Sequence, residues 1–217
     1  ERELESERAK SEKLLLNILP TAIAERLKKG EEPIADRFEN VAVLFADICQ
    51  FTKMSSTLEP EKVVAMLNEI FSSFDHWCGE YGLEKIKTIG DAYMAVGGLK
   101  HGSVHHVRDT LRFAQKMLLV LTEHPELKDR GLAIRVGVHV GPVVAGVIGK
   151  NKFIYDLWGD TVNTASRMES SGVDGRVHVS EQVMELGKAH FSFSSRGKIE
   201  VKGKGEMRTY LLEKEIS

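Results

Sequence analysis

The sequence contains too few cysteines for a disulfide framework. Cys49 and Cys78 are the only two in 217 residues, and their separation matches no metal-ligand motif. A basic segment followed by an apolar stretch is also missing, and no apolar run approaches the length of a membrane span. These absences lead us to expect a soluble chain in a reducing, cytoplasmic setting.

A strong net charge of either sign is missing too. The 30 basic and 32 acidic residues give a formal net charge of -2. Such a balance creates no long-range field that attracts a polyanion, so we expect no nucleic-acid partner and only local phosphate binding. With 42% hydrophobic residues, the chain suits one buried core plus an appendage.

Residues 1–29 are rich in helix formers, with charges first and apolar residues later. Pro20 lacks a backbone donor and clashes with the preceding turn, so we predict two helices meeting at a corner, with Gly30 as the C-terminal cap. Heptads are too few to decide between a helix packed on its own domain and a parallel coiled coil between two subunits.

We predict a helical, coiled-coil-like linker over residues 1–37 and a globular domain over residues 38–217. The sequence begins on Glu1 within a predicted helix. We therefore expect a fragment of a longer protein, with a regulatory or membrane domain upstream.

Strand and helix patterns alternate through the globular region. The run from Val41 to Ile48 suits a buried strand, residues 60–80 suit an amphipathic helix, and residues 83–98 suit two strands around a Gly90–Asp91 turn. Further elements are predicted in this order: a helix at 103–123, a strand at 132–140, a Gly141–Pro142 turn, a strand at 143–149, helices near 160–170 and 180–188, and strands near 192–201 and 207–212.

The first six elements follow the order strand, helix, strand, strand, helix, strand. This order predicts a ferredoxin-like βαββαβ core, an antiparallel sheet with helices on one face, followed by a C-terminal extension. The fold class is therefore α+β, with the helical linker in front.

Two carboxylates are predicted to converge at one end of this sheet. Asp47 follows the apolar residues 41–46, and Asp91 lies in the turn of the hairpin that neighbours that strand. Because a buried carboxylate is costly unless paired, the two together indicate a divalent metal site. Taken singly, each is better explained as a strand-end or turn aspartate.

Three separated segments resemble one family. FADICQFT (45–52) and KTIGDAYMAVGG (87–98) resemble the metal-binding segments of class III adenylyl and guanylyl cyclases, and YDLWGDTVNTASRME (155–169) is similar to their nucleotide-binding helix. The resemblance runs from about Phe38 to Leu212. NILPTAIAERLKKG, upstream, resembles the linker that precedes such domains.

The resemblance implies that Asp47 and Asp91 hold two divalent cations, Mg²⁺ or Mn²⁺, with the carbonyl of Ile48 as a further ligand. It also implies that Phe51 and Thr52 contact the nucleotide.

Asn163 and Arg167 are four residues apart in a predicted helix and share one face. The resemblance places both at the reacting phosphate, where an arginine suits developing negative charge. It also places Lys202, in VKGKGEM, on the triphosphate. Spacing alone is equally compatible with a solvated Arg167, and it favours a solvated hairpin tip for Lys202.

Lys87 and Asp156 stand at the two positions that distinguish ATP from GTP in this family. Lysine only donates and ionised aspartate only accepts, which complements the ring nitrogen and amino group of adenine. Guanine would leave groups unpaired on both sides. A structural ion pair between Lys87 and Asp156 is the alternative.

The resemblance implies an adenylyl cyclase that converts ATP to 3',5'-cyclic AMP and pyrophosphate in signal transduction. In this family the metal residues come from one subunit and the base-binding and transition-state residues from the other, so the resemblance implies that a homodimer has complete sites. No general base stands out, and His139 is interpreted as a structural histidine. Alternatives are a guanylyl cyclase, a non-catalytic dimerisation module, and a polymerase-type palm.

Overall fold

The computed structural model describes residues 2–99, 105–124, 127–128, 131–149 and 152–216. The chain divides into two compact units. The first comprises Glu1–Arg37 and Val144–Leu157, and the second comprises Phe38–Val143 and Trp158–Ser217.

Two helices open the first unit, as predicted. Helix α1 spans Arg2–Leu16 and helix α2 spans Thr21–Lys28. Pro20 is the N-cap of α2, where its missing N–H costs no helical hydrogen bond. The interruption predicted from Pro20 is therefore confirmed.

Gly30 ends helix α2 with a φ of 75°. Its N–H donates to the Leu27 carbonyl, and the Glu31 N–H donates to the Arg26 carbonyl. Together these two bonds make a Schellman cap, which confirms the predicted role of Gly30. The Arg26 side chain then forms ion pairs with Glu31 and Asp36, joining α2 to the residues that follow it.

The second unit contains the predicted βαββαβ order. Its strands and helices are β1 (Ala35–Cys49), α3 (Phe51–Ser55), α4 (Pro60–Glu80), β2 (Glu84–Ile89), β3 (Ala92–Gly97), α5 (His106–Glu123) and β4 (Ala133–Ile148). Residues 103 and 104 of the predicted second helix lie outside the described residues. Strand β1 begins and strand β4 ends within the first unit.

The C-terminal extension adds β5 (Ile154–Trp158), α6 (Asp160–Ser170), β6 (Val177–Ser180), α7 (Glu181–Gly187), β7 (Phe191–Val201) and β8 (Gly205–Glu215). The sheet order is β2-β3-β1-β4-β6-β8-β7, with β5 pairing β4 outside this path. Strand β1 is antiparallel to β3, β2 to β3, β6 to β8 and β7 to β8, whereas β4 and β6 are parallel. The α+β class and the predominantly antiparallel sheet are confirmed.

The predicted turn at Gly141–Pro142 is wrong, because β4 continues through both residues. The two residues serve close packing instead. A Cβ on Gly141 would lie 2.5 Å from the Thr161 hydroxyl oxygen, and that hydroxyl donates to the Pro142 carbonyl at 2.7 Å. The fixed φ of proline is compatible with an extended strand. Residues 143–148, expected in a separate strand, belong to β4 itself, and β5 pairs with β4.

The two faces of the sheet have different partners in the second unit. Side chains alternate along each strand, so Leu44, Ala46, Tyr93 and Ala95 join the hydrophobic core formed with α4 and α5. On the opposite face, α6 packs against β4 at Gly137, where a Cβ would lie only 1.9 Å from the Glu169 backbone nitrogen.

Candidate active site

Two carboxylates lie together at one end of the sheet. Asp47, near the end of β1, pairs in register with Ala92, and Asp91 lies in the turn immediately before Ala92. Burial raises the pKa of Asp47 above its usual range, and the negative charge of Asp91 raises it further. The structure therefore brings together the two carboxylates that the sequence singled out.

Arg135 on β4 faces this pair. Its Nη2 lies 3.5 Å from Asp47 Oδ2, its Nε donates to Glu169 at 2.8 Å, and its Nη1 lies 3.7 Å from Asp174. Burial raises the pKa of Glu169, the hydrogen bond and charge of Arg135 oppose that rise, and the charges of Asp47 and Asp91 add to it. Negative charge is therefore in excess around Arg135, which favours binding of a cation.

The available donor atoms suit a hard divalent cation. Asp47, Asp91 and the Ile48 carbonyl would supply oxygen ligands, which Mg²⁺ and Mn²⁺ prefer. The side chain of Asp47 is 24% exposed, so an ion can reach it and relieve the repulsion between the carboxylates. Across the described ranges, no group of three or more His, Cys, Asp or Glu side chains could hold a metal by itself. Two carboxylates and one carbonyl would leave coordination positions of such an ion open to water or to phosphate oxygens.

Helix α6 directs different side chains to its two sides. Asn163 and Arg167 are exposed and lie on one side of the helix. The Glu169 side chain is only 12% exposed and contacts Arg135. Because residues two apart in a helix differ by about 200° around its axis, Arg167 points away from the cluster that Glu169 joins. Within one chain, α6 therefore directs Asn163 and Arg167 away from Asp47.

Lys202 is exposed in the tight turn between β7 and β8. Gly203 and Gly205, with φ values of 83° and 75°, allow this turn. Lys204 in the same turn forms an ion pair with Asp160, the first residue of α6. The ion pair ties the turn that bears Lys202 to the start of helix α6.

Lys87 and Asp156 belong to different units of the chain. Lys87 is partly buried on β2, in the second unit. Asp156 is partly buried on β5, in the first unit, and its carboxylate accepts a hydrogen bond of 2.8 Å from the Leu157 N–H.

The segment after Ile48 places Phe51 and Thr52 in contrasting surroundings. The ring of Phe51 is buried in the hydrophobic core, whereas Thr52 is exposed on the short helix α3. Phe51 therefore offers a nucleotide only its backbone. Gln50, at the N-cap of α3, has a φ of 62°, a conformation that residues with side chains rarely adopt.

His139 is a structural histidine, as predicted. It is 6% exposed, and its Nδ1 lies 2.8 Å from the Ser180 hydroxyl. Burial, assisted by the positive charge of Lys204, lowers the pKa of His139 to about 4. The imidazole is therefore neutral at pH 7.

Arg135 and Glu169 were not predicted from the sequence as residues of the site. A signal for Arg135 was present, because it is the charged residue within the apolar strand pattern LAIRVGVHV. Strand alternation places it on the face opposite Ile134 and Val136, which lie in the core. Glu169 was quoted at the end of the third motif without a role.

The fold and this carboxylate cluster define a nucleotide-cyclase type of domain. The structure is similar to the guanylate cyclase domain of a protein from Catenaria anguillulae, solved in complex with GTP. The TM-score is 0.80 at 35% identity, and the match covers 83% of this chain and 100% of that one. No helix within the described residues is long and apolar enough to cross a membrane.

Residues 34–214 match the family model of the adenylate and guanylate cyclase catalytic domain, and the chain belongs to this family. It is 45% identical over 210 residues to an adenylate cyclase of Mycobacterium tuberculosis, which covers 96% of this chain and 47% of that protein. It is 47% identical over 210 residues to the germination-specific adenylate cyclase of Dictyostelium discoideum. That match covers 94% of this chain and 24% of the relative. The chain therefore spans less than half the length of either relative.

Proposed function

We propose that this chain is the catalytic domain of an adenylyl cyclase, which converts ATP to 3',5'-cyclic AMP and pyrophosphate. The observation that carries the proposal is the pair Asp47 and Asp91 beside Arg135 at one end of the sheet. The carboxylates suit divalent cations, and the guanidinium suits the phosphate oxygens that would accompany them. Family membership directs this chemistry to the cyclisation of a nucleoside triphosphate.

The choice of ATP over GTP is supported by Lys87 and Asp156. The ammonium donates to the adenine ring nitrogen, and the carboxylate accepts from the adenine amino group. GTP would present a donor to one and an acceptor to the other, and unpaired buried groups discriminate strongly. Overall identity adds nothing to this choice, because the chain is 45% identical to an adenylate cyclase and 43% identical to a guanylate cyclase subunit.

The reaction forms a bond between the ribose O3' and the α-phosphorus and breaks the bond from that phosphorus to pyrophosphate. Two divalent cations held by Asp47, Asp91 and the Ile48 carbonyl would lower the pKa of the 3'-hydroxyl and neutralise the triphosphate. The proton of that hydroxyl leaves to solvent, since His139 is buried against Ser180.

Four further side chains act on the nucleotide directly. Arg167 donates to the α-phosphate oxygens as negative charge develops there, which stabilises the transition state. Asn163 orients the ribose for in-line attack. Lys202 binds the triphosphate from the β7–β8 turn, and Thr52 binds it from α3.

We assign the active form as a homodimer with two sites. Helix α6 turns Arg167 and Asn163 away from the carboxylate cluster of the same chain. In a two-fold dimer, these residues would meet the Asp47 and Asp91 of the second copy, which completes both sites. A monomer would be inactive.

Residues 1–37 act as a linker that sets the geometry of the dimer. Leu14 and Ile18 are 64% and 70% exposed, which leaves apolar surface for a second helix. We propose that the linker pairs as a coiled coil and transmits the state of an upstream regulatory or membrane domain, with residues 38–217 as the catalytic domain in the cytoplasm. A shift of about 1 Å at the site would change the rate about a hundredfold.

The test is turnover of ATP and GTP by the purified chain with Mn²⁺, over a range of protein concentrations, beside Asp91→Ala. Cyclic AMP as the main product, rising faster than linearly with protein and absent in the variant, supports the proposal. Cyclic GMP as the main product would show a guanylyl cyclase, and no product from either nucleotide would indicate a non-catalytic dimerisation module.

Mixing two inactive variants tests the shared site separately. Asp91→Ala and Arg167→Ala each lack one half of every site, but a mixed dimer has one intact site. Random mixing should restore about a quarter of the wild-type activity per chain. No recovery, in a mixture shown to exchange subunits, would mean that each chain holds its own complete site.

A further inference from the structure

The strand that carries Lys87 lies at the edge of the sheet. Among the strands of the described residues, in the order β2-β3-β1-β4-β6-β8-β7, β2 has a strand neighbour on one side only. The last residue of β2, Ile89, is 54% exposed. The position of Lys87 therefore depends on how β2 is held at its base, near Lys85.

A β-bulge separates Lys85 from Lys87. Lys85 pairs with Ala95, but Lys87 pairs with Met94, so Ile86 is an extra residue in β2. Cross-strand partners share a face, and Ala95 belongs to the core beneath α4 and α5. Lys85 therefore lies on the helix side of the sheet, whereas Lys87 lies on the opposite face. In a regular strand, two residues that are two positions apart would share a face, so the bulge is what separates these two lysines.

Lys85 is held to helix α4 by a carboxylate that also holds β3. Its Nζ lies 2.7 Å from Asp75 Oδ2, and the Tyr93 hydroxyl donates to Asp75 Oδ1 at 2.6 Å. Tyr93 is fully buried and packs edge-on against Phe74 with ring centroids 5.4 Å apart. Asp75 thus links both strands of the hairpin to one helix.

The two partners of Asp75, Tyr93 and Lys85, differ in how firmly they are fixed. Tyr93 is locked in the core, so its hydroxyl gives Asp75 a fixed partner. The Lys85 side chain is 37% exposed, and its ammonium lies 5.3 Å from the centre of the Tyr93 ring. An ion pair this exposed contributes little to global stability. Its loss should remove the side-chain link between β2 and α4 while β2 stays paired with β3 and the domain stays folded.

We propose that Asp75 and Lys85 are positioning residues that hold β2 on α4 and so place Lys87 for recognition of the base. This inference rests on the proposed function, in which Lys87 reads adenine. The donor to the base would be the Lys87 ammonium, and a displacement of β2 would move that ammonium away from the base. Loosening the anchor should therefore weaken discrimination between ATP and GTP more than it slows catalysis, because Lys87 contacts the base and not the reacting phosphate.

The experiment compares Lys85→Met and Asp75→Asn with wild type, measuring kcat and KM for ATP and for GTP with Mn²⁺. We expect KM for ATP to rise and the ratio of kcat/KM for ATP over GTP to fall, each by about tenfold, with kcat for ATP within about twofold. Lys85→Arg, which can still reach the Asp75 carboxylate, should keep the ratio within about threefold of wild type.

Lys116→Met is the matched control. Lys116 has the same two kinds of contact, an ion pair of 2.9 Å with Glu123 and a position 4.6 Å from the Trp77 ring centre, but it lies on α5. This variant should leave the ratio unchanged. The inference would be overturned if Lys85→Met lowered kcat/KM equally for ATP and GTP, or if the ATP-to-GTP ratio of kcat/KM were unchanged in both Lys85→Met and Asp75→Asn. In either case, turnover of ATP by the wild type would still support the proposed function. A wild type that turns over neither nucleotide would overturn both.

Discussion

Replacing Gly137 by alanine should push helix α6 away from strand β4. The added Cβ would lie 1.9 Å from the Glu169 nitrogen and 2.5 Å from both the Glu169 Cα and the Met168 carbonyl carbon. All three are backbone atoms, so no side-chain rotation relieves the clash. Restoring ordinary contact requires a local retreat of about 1.5 Å.

This displacement sets the expected losses of stability and of activity. Overpacking of a close-packed contact costs about 1–3 kcal/mol, which for a domain of this size lowers the Tm by about 3–10 °C. The same retreat separates Glu169 from Arg135, whose hydrogen bond is 2.8 Å long. A shift of about 1 Å in a catalytic constellation lowers the rate by about a hundredfold, so activity should fall further than stability alone predicts.

Urea unfolding and cyclase turnover on the same preparations test this reasoning. Gly79→Ala is the control, since a Cβ on Gly79, near the end of helix α4, meets no atom within 4 Å. That variant should be stabilised by about 0.5–1 kcal/mol with unchanged turnover. If Gly137→Ala matched it in stability, the close approach of α6 to β4 would be refuted.

Three more predictions concern the segment around Asp47 and the thiols. Because burial and Asp91 raise the pKa of Asp47, the ionised carboxylate destabilises the metal-free fold at pH 7. Asp47→Asn should therefore raise the Tm there, and the gain should fade as the pH falls toward the usual value of 3.8. Mn²⁺ should raise the Tm of wild type but not of this variant, and an equal rise in both would place the ion elsewhere. Gln50→Gly should stabilise by about 1 kcal/mol in urea unfolding because it relieves the positive φ, and an unchanged midpoint would contradict this account. Burial raises the pKa of Cys49 and of Cys78 to about 12, so neither thiol should react with a disulfide reagent at pH 8 before unfolding; prompt labelling of either would disprove its burial.

The order of elements was predictable because local signals agreed with tertiary packing. Helix α4 spans Pro60–Glu80, the predicted range, since proline suits the first turn and the apolar residues recur at helical spacing. The hairpin around Gly90 and Asp91 was predictable for a similar reason. Gly90 has a φ of 61°, which its residue type permits without strain.

The features that were missed depend on contacts between distant segments. Gly141 and Pro142 have the composition of a turn, but their role is set by Thr161, which follows them by many residues. The bulge at Ile86 depends on the pairing of β2 with β3 and leaves no mark in composition. The acidic surroundings of Arg135 likewise arise only when β1, β4 and α6 are packed together.

The sheet order also bears on how copies of the chain avoid one another. Strands β2 and β7 are the two ends of that order, and both carry charges: Lys85 and Lys87 on the first, Arg196, Lys198 and Glu200 on the second. An incoming strand would have to strip water from these groups before pairing with the open backbone. The lysines of β2 therefore disfavour edge-to-edge aggregation. Specific association would then use other surfaces of the domain.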